Sequence, residues 1–223
     1  MSSVPWHTRR AGFVTGLQAE ARIAALLGPV QAGGGMPAGA AEAAGRLVAD
    51  GATALVSFGL CGGLDPALRP GALVVPRMVH SSGRRYATDA TLSAALGGWS
   101  ADILLAGETA AADATTKQRL FCESGAVATD LESGVVAQIA ARAGLPFTVL
   151  RAVCDPADMR LPPAALIALG SDGRISIRAV ASSLLREPSQ IFDLIALGRA
   201  AAAARAALVR RVGDVGHGRF LVA

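Results

Sequence analysis

The chain has 223 residues, 52% of them apolar, and a net charge of +4, which suffices for one large domain with a full core. Charged residues and glycines interrupt each apolar run before the ~18 residues of a membrane span. Residues 1–10 lack the apolar stretch of a secretory signal, so the cytoplasm is the expected compartment.

Gly12-Phe13-Val14-Thr15-Gly16 reads as a first strand, and Leu17 to Leu27 as a helix with Leu17, Ile23, Ala24 and Leu27 on one face. Glu20, in the first turn, either complements the helix dipole or points back over the end of the strand. Gly33-Gly34-Gly35 lies in a loop whose amides either cradle an anion or simply connect elements. It fits neither a P-loop nor a dinucleotide fingerprint, which argues against a nicotinamide enzyme. A helix follows from Ala38 to Asp50. Ala54 to Phe58 is a buried strand running into Gly59-Leu60-Cys61-Gly62-Gly63, where backbone must approach something closely.

After a turn-rich excursion from Asp65 to Gly71, Ala72 to Val79 reads as a strand with His80 just beyond it. Ser81 to Thr88 reads as a loop, Thr91 to Leu96 as a short helix, and Asp102 to Ala106 as a strand ended by Gly107-Glu108. Gly125 to Thr129 is a further strand, followed by Asp130 and Glu132 and then a helix from Ser133 to Arg142. Pro146 to Val153 is a buried strand ending in Cys154-Asp155-Pro156. Helices are expected over Leu161–Leu169, Ile175–Leu185 and Ile191–Val212, with a mobile tail from Gly213.

Strands alternating with helices imply an α/β fold with crossover helices. Asp130, Glu132 and Asp155 then stand at the rim where such sheets bind ligands, though acids at a helix start or in an Asp-Pro turn have duller explanations. Cys61, Cys122 and Cys154 have no CxxC spacing, so neither a disulfide framework nor a metal site is expected, and all three read as buried thiols. From Arg174 to Ala223, eight arginines against Glu187, Asp193 and Asp214 give +5, leaving −1 for the rest. Such a region meets an anionic surface or is a solvated helix face.

Four stretches in this order carry a family resemblance: the first strand with Gly16-x-x-x-Glu20, Ser57 to Leu64, Ala128-Thr129-Asp130-Leu131-Glu132-Ser133, and Arg151-Ala152-Val153-Cys154-Asp155. Together they resemble the purine nucleoside phosphorylase and methylthioadenosine/adenosylhomocysteine nucleosidase superfamily. Within it, the compact length and arginine-studded C-terminal region are most similar to the bacterial hopanoid-associated phosphorylases. The resemblance implies a three-layer sandwich, a central mixed, twisted sheet flanked by helices, in a single domain over 1–223 with an Arg-rich helical region near 174–212. It also implies a homodimer.

For the site, the resemblance implies that Glu132 binds the ribose hydroxyls, with Leu131 packing on the sugar and Asp130 beside them. Asp155 protonates purine N7, for which a raised pKa is expected, and Glu20 activates an attacking water. Gly62 and Cys61 line the nucleophile side. Gly16 and Arg22 are candidates for holding phosphate, but phosphate-using relatives usually carry Arg where this chain has Glu20, so the nucleophile is left open between phosphate and water. No cofactor is implied beyond phosphate as co-substrate. The base-stacking Phe of nucleosidases is replaced by Thr109, Ala110 and Ala111, which turns attention to Tyr86, and Cys154 replaces a hydroxyl donor beside Asp155. The expected partner is an adenine nucleoside, adenosylhopane above all, and not a nucleic acid. Alternatives are a methylthioadenosine/adenosylhomocysteine nucleosidase and a silent nucleoside-binding relative. A lipid-linked substrate implies peripheral docking on the anionic inner membrane through helices carrying Arg199, Arg205, Arg210 and Arg211.

Overall fold

The computed structural model describes residues 10–168 and 177–218. In chain order these form β1 (Ala11–Thr15), α1 (Gln18–Ala24), β2 (Val30–Ala32), α2 (Pro37–Ala49) and β3 (Ala54–Gly63). There follow β4 (Leu73–Val74), β5 (Pro76–Ser81), β6 (Arg84–Ala87), α3 (Ala90–Ala95), β7 (Ala101–Ala106) and α4 (Ala114–Ser124). The chain continues with β8 (Ala128–Asp130), α5 (Ser133–Arg142), β9 (Phe147–Asp155), α6 (Pro163–Ala168), α7 (Ile177–Arg186) and α8 (Gln190–Gly218). The strands form one mixed sheet in the order β2-β1-β3-β8-β7-β5-β6, with β9 paired to β3 and carrying β4.

Side chains alternate between the two faces of a strand, and here each face has its own core. Val14, Leu55, Val149 and Val153 pack with Ala40, Ala44 and Leu47 of α2 and with Val136 and Ala140 of α5. Their neighbours Phe13, Val56, Phe58 and Leu150 pack on the opposite side with α1, α3 and α8, which contribute Ala24, Leu92, Ala204, Leu208 and Val212. The three expected layers are therefore present, helix on sheet on helix.

β3 positions the site. Its first half pairs in parallel with β1, its last two residues, Gly62 and Gly63, pair antiparallel with β8, and β9 runs parallel along its length. After Cys61, which faces Val153, the register slips so that Gly62 faces Asp155. Cys154 is thus an extra residue, and a bulge of this kind bends a strand and re-aims its side chains.

Several local expectations are corrected. The region before Asp130 contains a helix, α4, that was not anticipated; Asp113 caps it by accepting from Thr116 N, and Gly125 ends it at φ 65°. Gly125 therefore terminates a helix rather than opening a strand. Ser81–Thr88 is not a loop but the tip and second strand of the β5–β6 hairpin, turning at Ser82 and Gly83 with φ of 46° and 74°. His80 lies within β5. α8 continues through Gly213 to Gly218, where a mobile tail was expected; the ends of the expected helices at Leu169 and Ile175, and the last five residues, lie outside the described residues. Cys61 is buried, but Cys154 is half-buried and Cys122 exposed, against the expectation of three buried thiols. Among the described residues no helix is long and apolar enough to cross a membrane.

Candidate active site

The ends of β1, β3, β8 and β9 meet around a cavity of about 230 Å3. Of the residues singled out in the sequence, Gly16, Glu20, Cys61, Gly62, Asp130, Leu131, Glu132 and Asp155 all line it. Arg22 does not; it is exposed near the end of α1.

Glu20 performs both roles considered for it. Its Oε2 accepts from the amides of Gly16 (3.1 Å) and Leu17 (2.8 Å), capping α1, while Oε1 accepts from Leu60 N of β3 (2.9 Å). Burial raises its pKa, opposed by the Arg151 charge and by these three amides. The close approach expected at Gly59 is to this carboxylate: a Cβ there would lie 2.7 Å from Glu20 Cδ, and its φ of 150° disfavours any side chain. Gly16 is held small by Glu132, and Gly62 by Asp155.

Arg151, a buried arginine in the middle of β9, organises Asp130 and Glu132. Nη2 lies 2.7 Å from Asp130 Oδ2, 2.9 Å from Glu132 Oε2 and 2.7 Å from Ser57 Oγ, while Nη1 donates to Leu60 O (3.1 Å). Nη2 has two protons for these three acceptors. Asp130 is also bonded by the Ser133 hydroxyl and amide, whereas Glu132 has Arg151 as its charged partner. Burial, opposed by Arg151, pushes the Glu132 pKa up to about 7. The sequence motif contained Arg151 but carried no signal for its role, because the partners come from β3 and β8.

Asp155 stands at the bulged end of β9, paired with a residue that sequence reasoning missed. Lys117 of α4 is fully buried, and its Nζ lies 2.8 Å from Asp155 Oδ2. It also donates to the carbonyls of Asp155 (3.1 Å), Pro156 (2.9 Å) and Met159 (3.0 Å). The readable signal was the capping Asp113 and closing Gly125 that bracket α4. In place of the hydroxyl, the Cys154 thiol donates to Asp155 Oδ1 at 3.0 Å, a weaker donor. Burial and the adjacent Asp155 charge push that thiol well up, keeping its proton in place.

Several of the amides expected to hold phosphate are engaged within the protein, and Arg22 stands outside the cavity. The Gly33 and Gly34 amides donate to the carbonyls of Thr15 and Gly16, and the Leu60 amide to Glu20. Among the described residues, no Arg or Lys lines the cavity. Among the same residues no aromatic lines it either; Tyr86 sits in a separate hollow with Ser82, Arg84 and Gln138. His80 is likewise outside the cavity, its Nε2 buried without a hydrogen-bond partner.

A nine-stranded mixed sheet between helix layers, with acids gathered at its strand ends, is the α/β fold of the nucleosidases and nucleoside phosphorylases. Residues 3–101 match the sequence profile of the Phosphorylase superfamily. Among solved structures, a mutant of the Helicobacter pylori methylthioadenosine nucleosidase bound to 5′-methylthioadenosine superposes with a TM-score of 0.64 at 16% identity, covering 92% of this chain and 99% of that one. A futalosine hydrolase mutant from the same organism gives 0.62 at 16% identity, covering 93% and 99%. The methylthioadenosine/adenosylhomocysteine nucleosidase of Colwellia psychrerythraea, in complex with adenine, gives 0.62 at 16%, covering 93% and 96%. Searched against curated proteins, the sequence has no match.

Proposed function

We propose that this chain is an enzyme that cleaves the N-glycosidic bond of an adenine nucleoside, with water as the attacking group. The observation that carries the reading is that Glu20, Glu132 and Asp155, the last with a buried cation of its own, line one cavity. Glu132, once ionised, accepts from the vicinal ribose hydroxyls, and Leu131 packs on the sugar. Asp155 gives its proton to N7 as the C1′–N9 bond breaks, so adenine leaves neutral. Glu20, whose Oε1 keeps a lone pair beyond the Leu60 amide, takes a proton from the water that adds at C1′.

Water is favoured over phosphate by charge. Four carboxylates, Glu20, Asp130, Glu132 and Asp155, line the cavity, and the two cations that touch them, Arg151 and Lys117, are buried and already paired. A phosphate dianion entering there meets carboxylates, with no unpaired cation lining the cavity among the described residues.

For the 5′ substituent we infer a lipid, as in adenosylhopane, following the motif resemblance. At about 230 Å3 the cavity lies below the ~300–1,000 Å3 of drug-sized ligand pockets, so a long hydrocarbon group extends out of it. The outer face of α8 suits such a substrate. Phe192, Ile195 and Val209 are exposed along it together with Arg199 and Arg210; at helical spacing Asp193 falls to one side, and Asp214, one turn beyond Arg210, is the acid at its end. Arg211, by contrast, folds back onto Leu96 O. Apolar residues edged by arginine fit an anionic lipid surface. The water-based reading also favours a second substrate class, methylthioadenosine or adenosylhomocysteine. The test is adenine release from adenosylhopane and from methylthioadenosine, with and without phosphate, identifying the sugar by mass. The 5-substituted ribose at equal rates with and without phosphate is expected, and its 1-phosphate refutes the hydrolytic assignment.

A further inference from the structure

The Lys117–Asp155 pair asks more of the structure than a buried tether requires. A fully buried ammonium is costly unless each proton is accepted, and three main-chain carbonyls, those of Asp155, Pro156 and Met159, already provide acceptors for all three. The Asp155 carboxylate is a fourth partner, and at 2.8 Å the shortest. The lysine is therefore aimed at the side chain that lines the cavity as well as at the loop behind it. The other carboxylate oxygen, Oδ1, has the Cys154 thiol as its donor. The wall opposite is tied to the same loop, because Leu161 N donates to Ala112 O beside the cavity-lining Ala110 and Ala111.

We propose that Lys117 is the positioning residue for base protonation, stabilising the negative charge that Asp155 acquires as it gives up its proton. This inference rests on the assignment of Asp155 as the acid. Asp155, the carboxylate to which Lys117 and Cys154 donate, takes up a proton from solvent as the nucleoside binds; in the step concerned that O–H bond breaks and an N7–H bond forms while the C1′–N9 electron pair withdraws into the purine. Asp155 is left as a carboxylate facing the Lys117 ammonium, which gives up no proton itself. The pairing is thus strongest after proton transfer, and such differential stabilisation accelerates a reaction. Lys117 also fixes the Asp155 rotamer and the turn that follows β9.

The test compares the wild type, K117M and D155N on two substrates. Methylthioadenosine needs its base protonated, whereas 4-nitrophenyl β-D-ribofuranoside has a leaving group that departs as a stable anion. K117M is expected to lose about 10- to 100-fold in kcat on methylthioadenosine, as for one charge-assisted hydrogen bond, with KM little changed. Its loss on the nitrophenyl riboside is expected to be several-fold smaller, and D155N is expected to show the same selectivity more strongly. In K117A, added methylammonium is expected to restore part of the lost rate on the nucleoside. An equal loss on both substrates, or no loss on either, overturns the role given to Lys117 while leaving Asp155 as the acid. If D155N itself shows no selectivity between the substrates, or the wild type releases nothing from either, the acid assignment falls and the Lys117 inference falls with it.

Discussion

Replacing Glu132 by glutamine is expected to remove most of the pH dependence of stability between about pH 4.5 and 7. The cavity holds Glu132 with its pKa up from an ordinary 4.5 to about 7, because burial outweighs its share of Arg151. In the unfolded chain the carboxyl loses its proton near 4.5; in the folded protein it keeps the proton until about 7. Between these values the native state binds more protons, so stability is full below the lower value and falls as pH rises through the upper one. At 1.36 kcal/mol per pH unit the difference is roughly 3 kcal/mol, or ~6–12 °C in Tm for a chain of this size. Glutamine keeps the shape but does not titrate. Burial raises the Glu20 pKa in the same direction, so the informative quantity is wild type minus E132Q, from denaturant or thermal melts at pH 5 and 8. Equal pH slopes in the two proteins, or a wild type more stable at pH 8 than at pH 5 with the slope unchanged in E132Q, would refute the reasoning.

Gly59→Ala places a Cβ 2.7 Å from the Glu20 carboxyl carbon at a φ of 150°; a stability loss of ~1–3 kcal/mol is expected together with at least a tenfold fall in nucleoside turnover. The control is Gly45→Ala in α2, where a Cβ meets nothing within 4 Å and about 1 kcal/mol of stability should be gained from helix propensity; wild-type turnover in G59A would contradict the packing of Glu20 against Gly59. The outer face of α8 is expected to bind vesicles containing phosphatidylglycerol at low ionic strength and to release them as salt rises. F192S combined with R199S and R210S should abolish co-sedimentation, whereas binding that survives these changes would remove α8 as the docking element.

Much of the candidate site was legible because it depends on local rules. Glu20 follows a strand and a tight glycine, Asp130 and Glu132 bracket a helix start, and Asp155 closes a buried strand; each placement follows from hydrophobic periodicity and the chain direction alone. The same logic located Gly59 and Gly62 as points of close approach without saying to what. The tertiary structure supplied the partners: the Glu20 and Asp155 carboxylates occupy the space where a Cβ would stand.

What remained hidden was pairing over long separations, and its reason is physical. Arg151 finds Asp130 and Glu132 about 20 residues away and Ser57 much further back, and Lys117 reaches Asp155 across two intervening elements. The energy of a buried charge depends on which oxygens surround it, a property of the folded interior that no local spacing records. The sequence by itself determined the alternation that makes an α/β sheet, the acids at its rim and the glycines beside them. Only the tertiary structure decided that Arg22 lies outside the cavity, that the Gly33 and Gly34 amides are already bonded, and that Lys117 stands behind Asp155, because those outcomes depend on strand order and on the extra residue at Cys154 that turns the end of β9.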